Sequence, residues 1–246
     1  PAGRRWSASF CAKVSAELFT GAARAVELAG GAMWRHHCSM AKRFDPYDFI
    51  IRLEVQILGI EPVISRTLEL PRDLNFAQLH EVLQAAVGWT DSHLHQFIVG
   101  GLVVGAPEYL EEDAYGPRVI EATDVHLRDL RFPYGPDAQL EILYQYDFGD
   151  NWQHRLILTP MPRAEGVKYP RCIGGARSCP PEDVGGDIGY ETFLEAWRDP
   201  DHEEHADNRR WAGRKFDPER FDLEATNRAT ARALRLSRGD YRARQI

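Results

Sequence analysis

A chain of 246 residues with 43% hydrophobic content has the apolar material for one large domain or two small ones, which excludes disorder throughout. The net charge of −7 and pI near 5.7 exclude a whole-surface attraction to phosphate backbones, so nucleic acid can be met only through a local basic patch. No run approaches the roughly twenty apolar residues of a membrane-spanning helix, and no stretch reads as a secretory signal; a cytoplasmic protein with no membrane partner is expected.

Residues 1–39 begin without methionine and change character at "MAKRFDPYDFIIRLEVQIL", so Met40 is the expected start and the segment before it an added leader. Within that leader, Ser15 to Leu28 has the spacing of a short amphipathic helix. From Phe49 the pattern alternates strictly: Phe49, Ile51, Leu53, Val55 and Ile57 share one face of a half-buried strand, with Arg52, Glu54 and Gln56 opposite. A second strand runs through "SRTLEL" and ends at Pro71. In "NFAQLHEVLQAAVGW", Phe76, Leu79, Val82, Leu83, Ala86 and Val87 recur at helical spacing, Asn75 with Gln78 forms a capping box, and Gly88 supplies the stop.

Gly100-Gly101 between two apolar runs predicts a tight hairpin. Glu108 to Asp129 holds seven acidic residues against two arginines and reads as a solvated loop with at most a short strand. A strand "EILYQYDF", a turn "GDN" and a strand "WQHRLILTP" follow. The stretch from Pro160 to Gly189 is dense in proline and glycine and reads as a long loop that must be packed for a reason. A helix "YETFLEAWRD" ends near Pro200, and Asp222 caps a final helix. That tail carries six arginines, from Arg228 to Arg244, against Asp222, Glu224 and Asp240, a local charge of +3. A phosphate-contacting stripe and a solvated helix face both fit it, with Leu223, Ala229, Ala233 and Leu236 as the docking side.

The residues that carry chemistry gather in "DSHLHQF" and "YQYDFGDNWQHRLIL". Strand alternation puts His93, His95 and Phe97 on one face, Tyr144, Tyr146 and Phe148 on another, and Trp152 with His154 past the turn. If the two hairpins pair, His93, His95, Asp147, Asp150 and His154 converge at one sheet end as candidate catalytic residues. Of these, His93, His95, Asp150 and His154 are candidate ligands of a divalent metal. The plainer alternative is structural: Asp147, Gly149, Asp150 and Asn151 are turn residues, and the aromatics fill a core. Cys172 and Cys179 are expected as reduced thiols, because a zinc site normally needs four ligands, with closer spacing inside each pair than these two have. "DHEEHADNRRW" spaces its histidines three apart, not the four that a zinc-protease helix requires, and reads as a linker or helix start.

"LHEVLQAAVGWTDSHLHQF", "YQYDFGDNWQHRLIL", "YPRCIGGARSCPPEDVGGDIGYETFLEAW" and "FDPERFDLEATN" together resemble the plasmid pRiA4b ORF-3-like family, whose members are often labelled insertion-element passenger proteins of TnpR type. The resemblance runs from about Phe49 to Asn227 and implies a compact α+β domain. It carries no serine set among arginines, as a serine recombinase would need. Where family members often read Ile-Trp-Arg-Arg after two prolines, this chain has Val63, Ile64, Ser65 and Arg66.

The expectation is a single α+β domain over residues 40–227, a mostly antiparallel, hairpin-built sheet with helices on one face, followed by a basic helical tail over 228–246. Two functions fit it. One is a mobile-element accessory module that recognises a protein or nucleic-acid partner through Tyr144, Tyr146, Trp152, Arg155 and Arg66, with no cofactor. The other is a metal-assisted hydrolase or nuclease in which the His/Asp cluster holds a divalent metal and Arg155 or Arg66 steadies an anionic substrate.

Overall fold

The alternation from Phe49 onward forms β1 (Phe49–Ile57), which lies within an eight-stranded sheet in the computed structural model, which describes residues 48–110, 118–133 and 138–237. The other strands are β2 (Ser65–Pro71), β3 (His95–Val99), β4 (Leu102–Gly105), β5 (Val119–Glu121), β6 (Leu140–Tyr146), β7 (Trp152–Pro162) and β8 (Arg171–Ala176). Their order is β5-β4-β3-β6-β7-β1-β2-β8, antiparallel except where β5 pairs with β4. The helices are α1 (Phe76–Val87), α2 (Pro107–Leu110), α3 (Gly186–Arg198), α4 (His205–Trp211) and α5 (Leu223–Leu236). The fold is α+β. The leader and its expected helix, together with Arg238, Arg242 and Arg244, lie outside the described residues.

One face of the sheet is the core side, because the alternating apolar residues of β1 point there and are buried. α1 contributes Leu79, Val82, Leu83 and Ala86 to that core. Its ends form as the sequence dictates: Asn75 and Gln78 make the reciprocal capping box, and Gly88 adopts φ 94 at the C-terminus. The opposite face carries a cross-strand ladder in which Glu69 accepts from Arg52 at 3.1 Å and from Arg171 at 2.6 Å, joining β1, β2 and β8. Gly100 and Gly101, both at positive φ, close the β3–β4 hairpin.

Several expectations change. The acidic segment holds α2, β5 and a 3-10 turn at Leu127–Asp129 among its described residues. β6 ends at Tyr146, so Phe148 sits in the turn, 40% exposed, and not on the face of Tyr144 and Tyr146. The Pro/Gly-rich stretch contains the edge strand β8, held by β2 on one side and by Asn227 on the other. Asn227 accepts from the Cys172 amide and donates to the Cys172 carbonyl, both at 2.8 Å, and so blunts the sheet edge. The expected boundary at residue 227 falls inside α5, which packs on α1 and β8 and buries Thr230 and Leu234, while Leu223 and Leu236 stay exposed.

Candidate functional site

Three connections meet at one end of the sheet: residues 88–94 after α1, the 147–151 turn between β6 and β7, and residues 177–185 before α3. β3 and β6 pair His95 with Tyr146, and the Asp147 amide donates to the Leu94 carbonyl at 2.9 Å, which sets the first two side by side. Asp147 organises its own turn. Its Oδ1 accepts from the amides of Gly149 and Asp150, and its φ of 56 is one that Asp tolerates better than most residues.

The Pro/Gly-rich connection is fastened over this junction. Glu182 accepts from Tyr146 Oη at 2.7 Å and from the amide and hydroxyl of Thr90. Trp89 Nε1 donates to the Pro180 carbonyl at 2.9 Å, and Asp150 Oδ2 accepts from the Gly185 amide at 3.0 Å. Burial, and then Glu182, push the Tyr146 phenol up, so it remains a protonated donor.

Beneath the connections lies a closed ring of hydrogen bonds. Burial holds His80 below the ordinary imidazole range, so the ring is neutral at pH 7. Its Nε2–H donates to Asp91 Oδ1 at 2.6 Å, and Nδ1 accepts from Tyr144 Oη at 2.8 Å. Gln84 Nε2 donates to the same Tyr144 oxygen at 3.0 Å, and Gln84 Oε1 accepts from the Asp91 amide at 3.1 Å. Every partner in that circuit keeps one consistent proton assignment, which makes the buried network stabilising and not a liability. His95 stacks on His80 with ring centroids 3.5 Å apart and planes 4° from parallel; burial, and then His80, push it well down.

The expected cluster therefore divides. β3 starts at His95, so His93 lies in the preceding connection and not on the face of His95. There its Nε2 meets Asp183 Oδ1 at 2.9 Å and Asp147 Oδ2 at 3.6 Å, an open group at the sheet end. His95 joins the interior group with His80 and Asp91. Asp150 ties the two connections together. His154 is fully buried on the core face of β7, donates from Nδ1 to the Tyr144 carbonyl at 3.3 Å, and leaves Nε2 with no hydrogen-bond partner.

The expected contact surface changes as well. Tyr144, Tyr146 and Trp152 are at most 2% exposed and belong to the core, so they present no face to a partner. Arg155 lies on the other face of the sheet from His154 and pairs with Glu141 at 2.7 Å. Arg66 is buried: it donates to the carbonyls of Ala86, Ser65 and Ala176 and to Cys179 Sγ, with its guanidinium 4.5 Å from the Phe221 ring. Cys172 and Cys179 are free and buried, and burial pushes Cys179 up to about 11. Sequence reading missed His80, Asp91, Glu182 and Asp183; the signal for His80 and Gln84 was a pair of polar residues, four apart, among the core positions of α1.

A second locus lies along α5. Lys168, Tyr169 and Pro170 form one wall of a cleft of about 660 Å³, and Asn227, Arg228, Ala231, Arg232, Leu234 and Arg235 form the other. Among the described residues no ion pair involves Lys168, Arg232 or Arg235, whereas Arg228 meets Glu224 at 3.6 Å.

A one-sheet α+β protein whose sheet end is closed by three hydrogen-bonded connections is the class this architecture defines. Residues 49–225 match the family described as plasmid pRiA4b ORF-3-like protein, and the chain belongs to that family. It is 40% identical over 164 residues to "Uncharacterized protein y4hQ" of Sinorhizobium fredii, which covers 67% of this chain and 81% of that protein. Its fold is similar to the crystal structure of MM3350, a protein of unknown function from Methanosarcina mazei Go1. That comparison gives a TM-score of 0.61 and 38% identity over 72% of this chain and 97% of the other. Among the described residues no helix is long and apolar enough to cross a membrane.

Proposed function

We propose that this chain is an accessory module that holds a nucleic-acid strand by its phosphates along the α5 cleft. The observation that supports this is the concentration of Lys168, Arg228, Arg232 and Arg235 around one cleft in a chain of net charge −7. Such a local excess resists the overall acidity only at short range, within about a Debye length of 8 Å at physiological salt. Tyr169 stands in the same wall, with the Arg163 and Arg171 guanidiniums over its ring at 5.4 and 5.8 Å from the centroid, so a base that stacks there does so by displacing a guanidinium. The plasmid in the family's description supports a role beside mobile DNA, with a cytoplasmic location as part of the same proposal.

Fluorescence anisotropy with labelled single- and double-stranded oligonucleotides tests the reading. The wild type is expected to bind with a steep salt dependence. Arg232→Glu/Arg235→Glu is expected to weaken binding at least about tenfold, because two phosphate contacts become repulsions. Binding that the double variant leaves unchanged would refute the cleft, and retention of a protein partner instead would move the module to protein recognition.

Metal-assisted hydrolysis is the second reading, favoured by the open His93, Asp147 and Asp183 group. In the same assay with Mn²⁺ added, the accessory module leaves the oligonucleotide intact. Cleavage that Asp183→Asn abolishes would favour the hydrolase.

A further inference from the structure

We propose that His93, Asp147 and Asp183 bind a divalent first-row transition ion such as zinc, which clamps together the three connections at the sheet end. His93 belongs to the 88–94 connection, Asp147 to the turn between β6 and β7, and Asp183 to the Pro/Gly-rich connection, so each supplies one ligand. The site stands apart from the α5 cleft, and it holds whether or not the ion takes part in hydrolysis.

The donor atoms are already grouped as the ligands of one ion are. His93 Nε2 is 2.9 Å from Asp183 Oδ1 and 3.6 Å from Asp147 Oδ2, and the three lie within 4.8 Å of one another. Ligands held about 2.1 Å from one tetrahedral ion stand about 3.4 Å apart, so small side-chain adjustments seat it.

Asp147 is a buried carboxylate whose two oxygens differ. Oδ1 accepts from the Gly149 and Asp150 amides, whereas among the described residues Oδ2 accepts no hydrogen bond and has only the His93 nitrogen near it as a cation. Buried charges are paired or coordinate metals. The amide bonds to Oδ1 hold the carboxylate in place, as outer hydrogen bonds orient a metal ligand.

The charge around the site is of one sign. Asp91, Asp147, Asp150, Glu182 and Asp183 lie in the three connections, which hold no lysine and one arginine, Arg177, itself paired with Glu219. A cation is drawn to this end of the sheet. One imidazole and two carboxylates, with water completing the set, suit zinc, whereas calcium and magnesium prefer oxygen ligands throughout. With the ion bound, His93 Nε2 gives its lone pair to the metal in place of its bond to Asp183, and the ring's single proton resides on Nδ1.

The test dialyses the full chain against zinc chloride, measures the metal retained and records zinc X-ray absorption on the product. The expected result is one zinc per chain with a single imidazole among its ligands, and no comparable retention of calcium from calcium chloride. Asp183→Asn and His93→Gln are expected to lower zinc affinity at least about tenfold. Both side chains are partly exposed, 69% and 31%, so both variants are expected to fold. Zinc is also expected to raise the urea midpoint of the wild type and not that of Asp183→Asn, because the ligands meet only in the folded chain. No zinc retained by the wild type would overturn the site, as would affinity unchanged in both variants, two or more imidazoles in the spectrum, or calcium held as tightly as zinc. Zinc bound with the wild-type midpoint unmoved would overturn the clamp.

Discussion

Lowering the pH from about 6.5 to about 4 is expected to cost the folded chain about 3 kcal/mol through His154 alone. Burial pushes this imidazole from its ordinary 6.5 down to about 4, against the opposing hydrogen bonds to the Tyr144 and Trp152 backbone. Nε2 has no partner in its apolar pocket beside Trp89, so a proton added there would be an unsatisfied buried charge. The unfolded chain takes up that proton near 6.5 and the folded chain only near 4. Between those values the unfolded state binds more protons, so stability is complete above about 6.5 and is lost as the pH falls. Urea unfolding at a series of pH values measures the slope, and His154→Leu is expected to remove one proton's share of it. An unchanged slope in that variant would mean that His154 is not held neutral in the interior.

Gly186→Ala is expected to destabilise the chain by at least about 3 kcal/mol, the sum of a strained backbone angle and an overpacked contact. Gly186 has φ 71, and a Cβ there would lie 2.5 Å from the Asp150 carbonyl oxygen. The obstacle is backbone, and Asp150 is itself tied to Gly185, so neither side can yield easily. Gly166→Ala is the control, since Gly166 has φ 74 with nothing within 4 Å of the added carbon and reports the angle alone. The excess cost at Gly186, read from urea midpoints at constant m value, measures how firmly the Pro/Gly-rich connection is seated on the 147–151 turn. Equal costs at the two positions would mean that the connection is not docked there.

That connection also marks the limit of what periodicity reveals. β1 and α1 are legible because a period of two and a period near 3.6 each put apolar residues on one side, and Asn75, Gln78 and Gly88 bracket the helix. β8 is not legible: "RCIGGA" has no alternation, and it becomes a strand only because β2 and Asn227 supply its hydrogen bonds from distant parts of the chain. Alternation placed Tyr144 and Tyr146 on one face and left a core role and a contact surface both open; their burial makes the core role the right one. The ring through His80, Gln84, Asp91 and Tyr144 is hidden for a related reason. Polar residues on a core face make sense only when their partners have been brought there by folding, and the spacing of any one segment does not contain that information. The neighbourhood of His93 and Asp147 was legible through hairpin pairing, while Asp183 arrives from a segment with no periodic signal.

Photo-crosslinking of a bound oligonucleotide, followed by peptide mapping, asks most directly whether the α5 cleft is where this protein meets its partner. Adducts on Tyr169 and on the peptides spanning 228–235, weakening as salt is raised, are the predicted result. Adducts confined to the other locus, around Phe148 and Asp183, with the cleft peptides untouched, would contradict it.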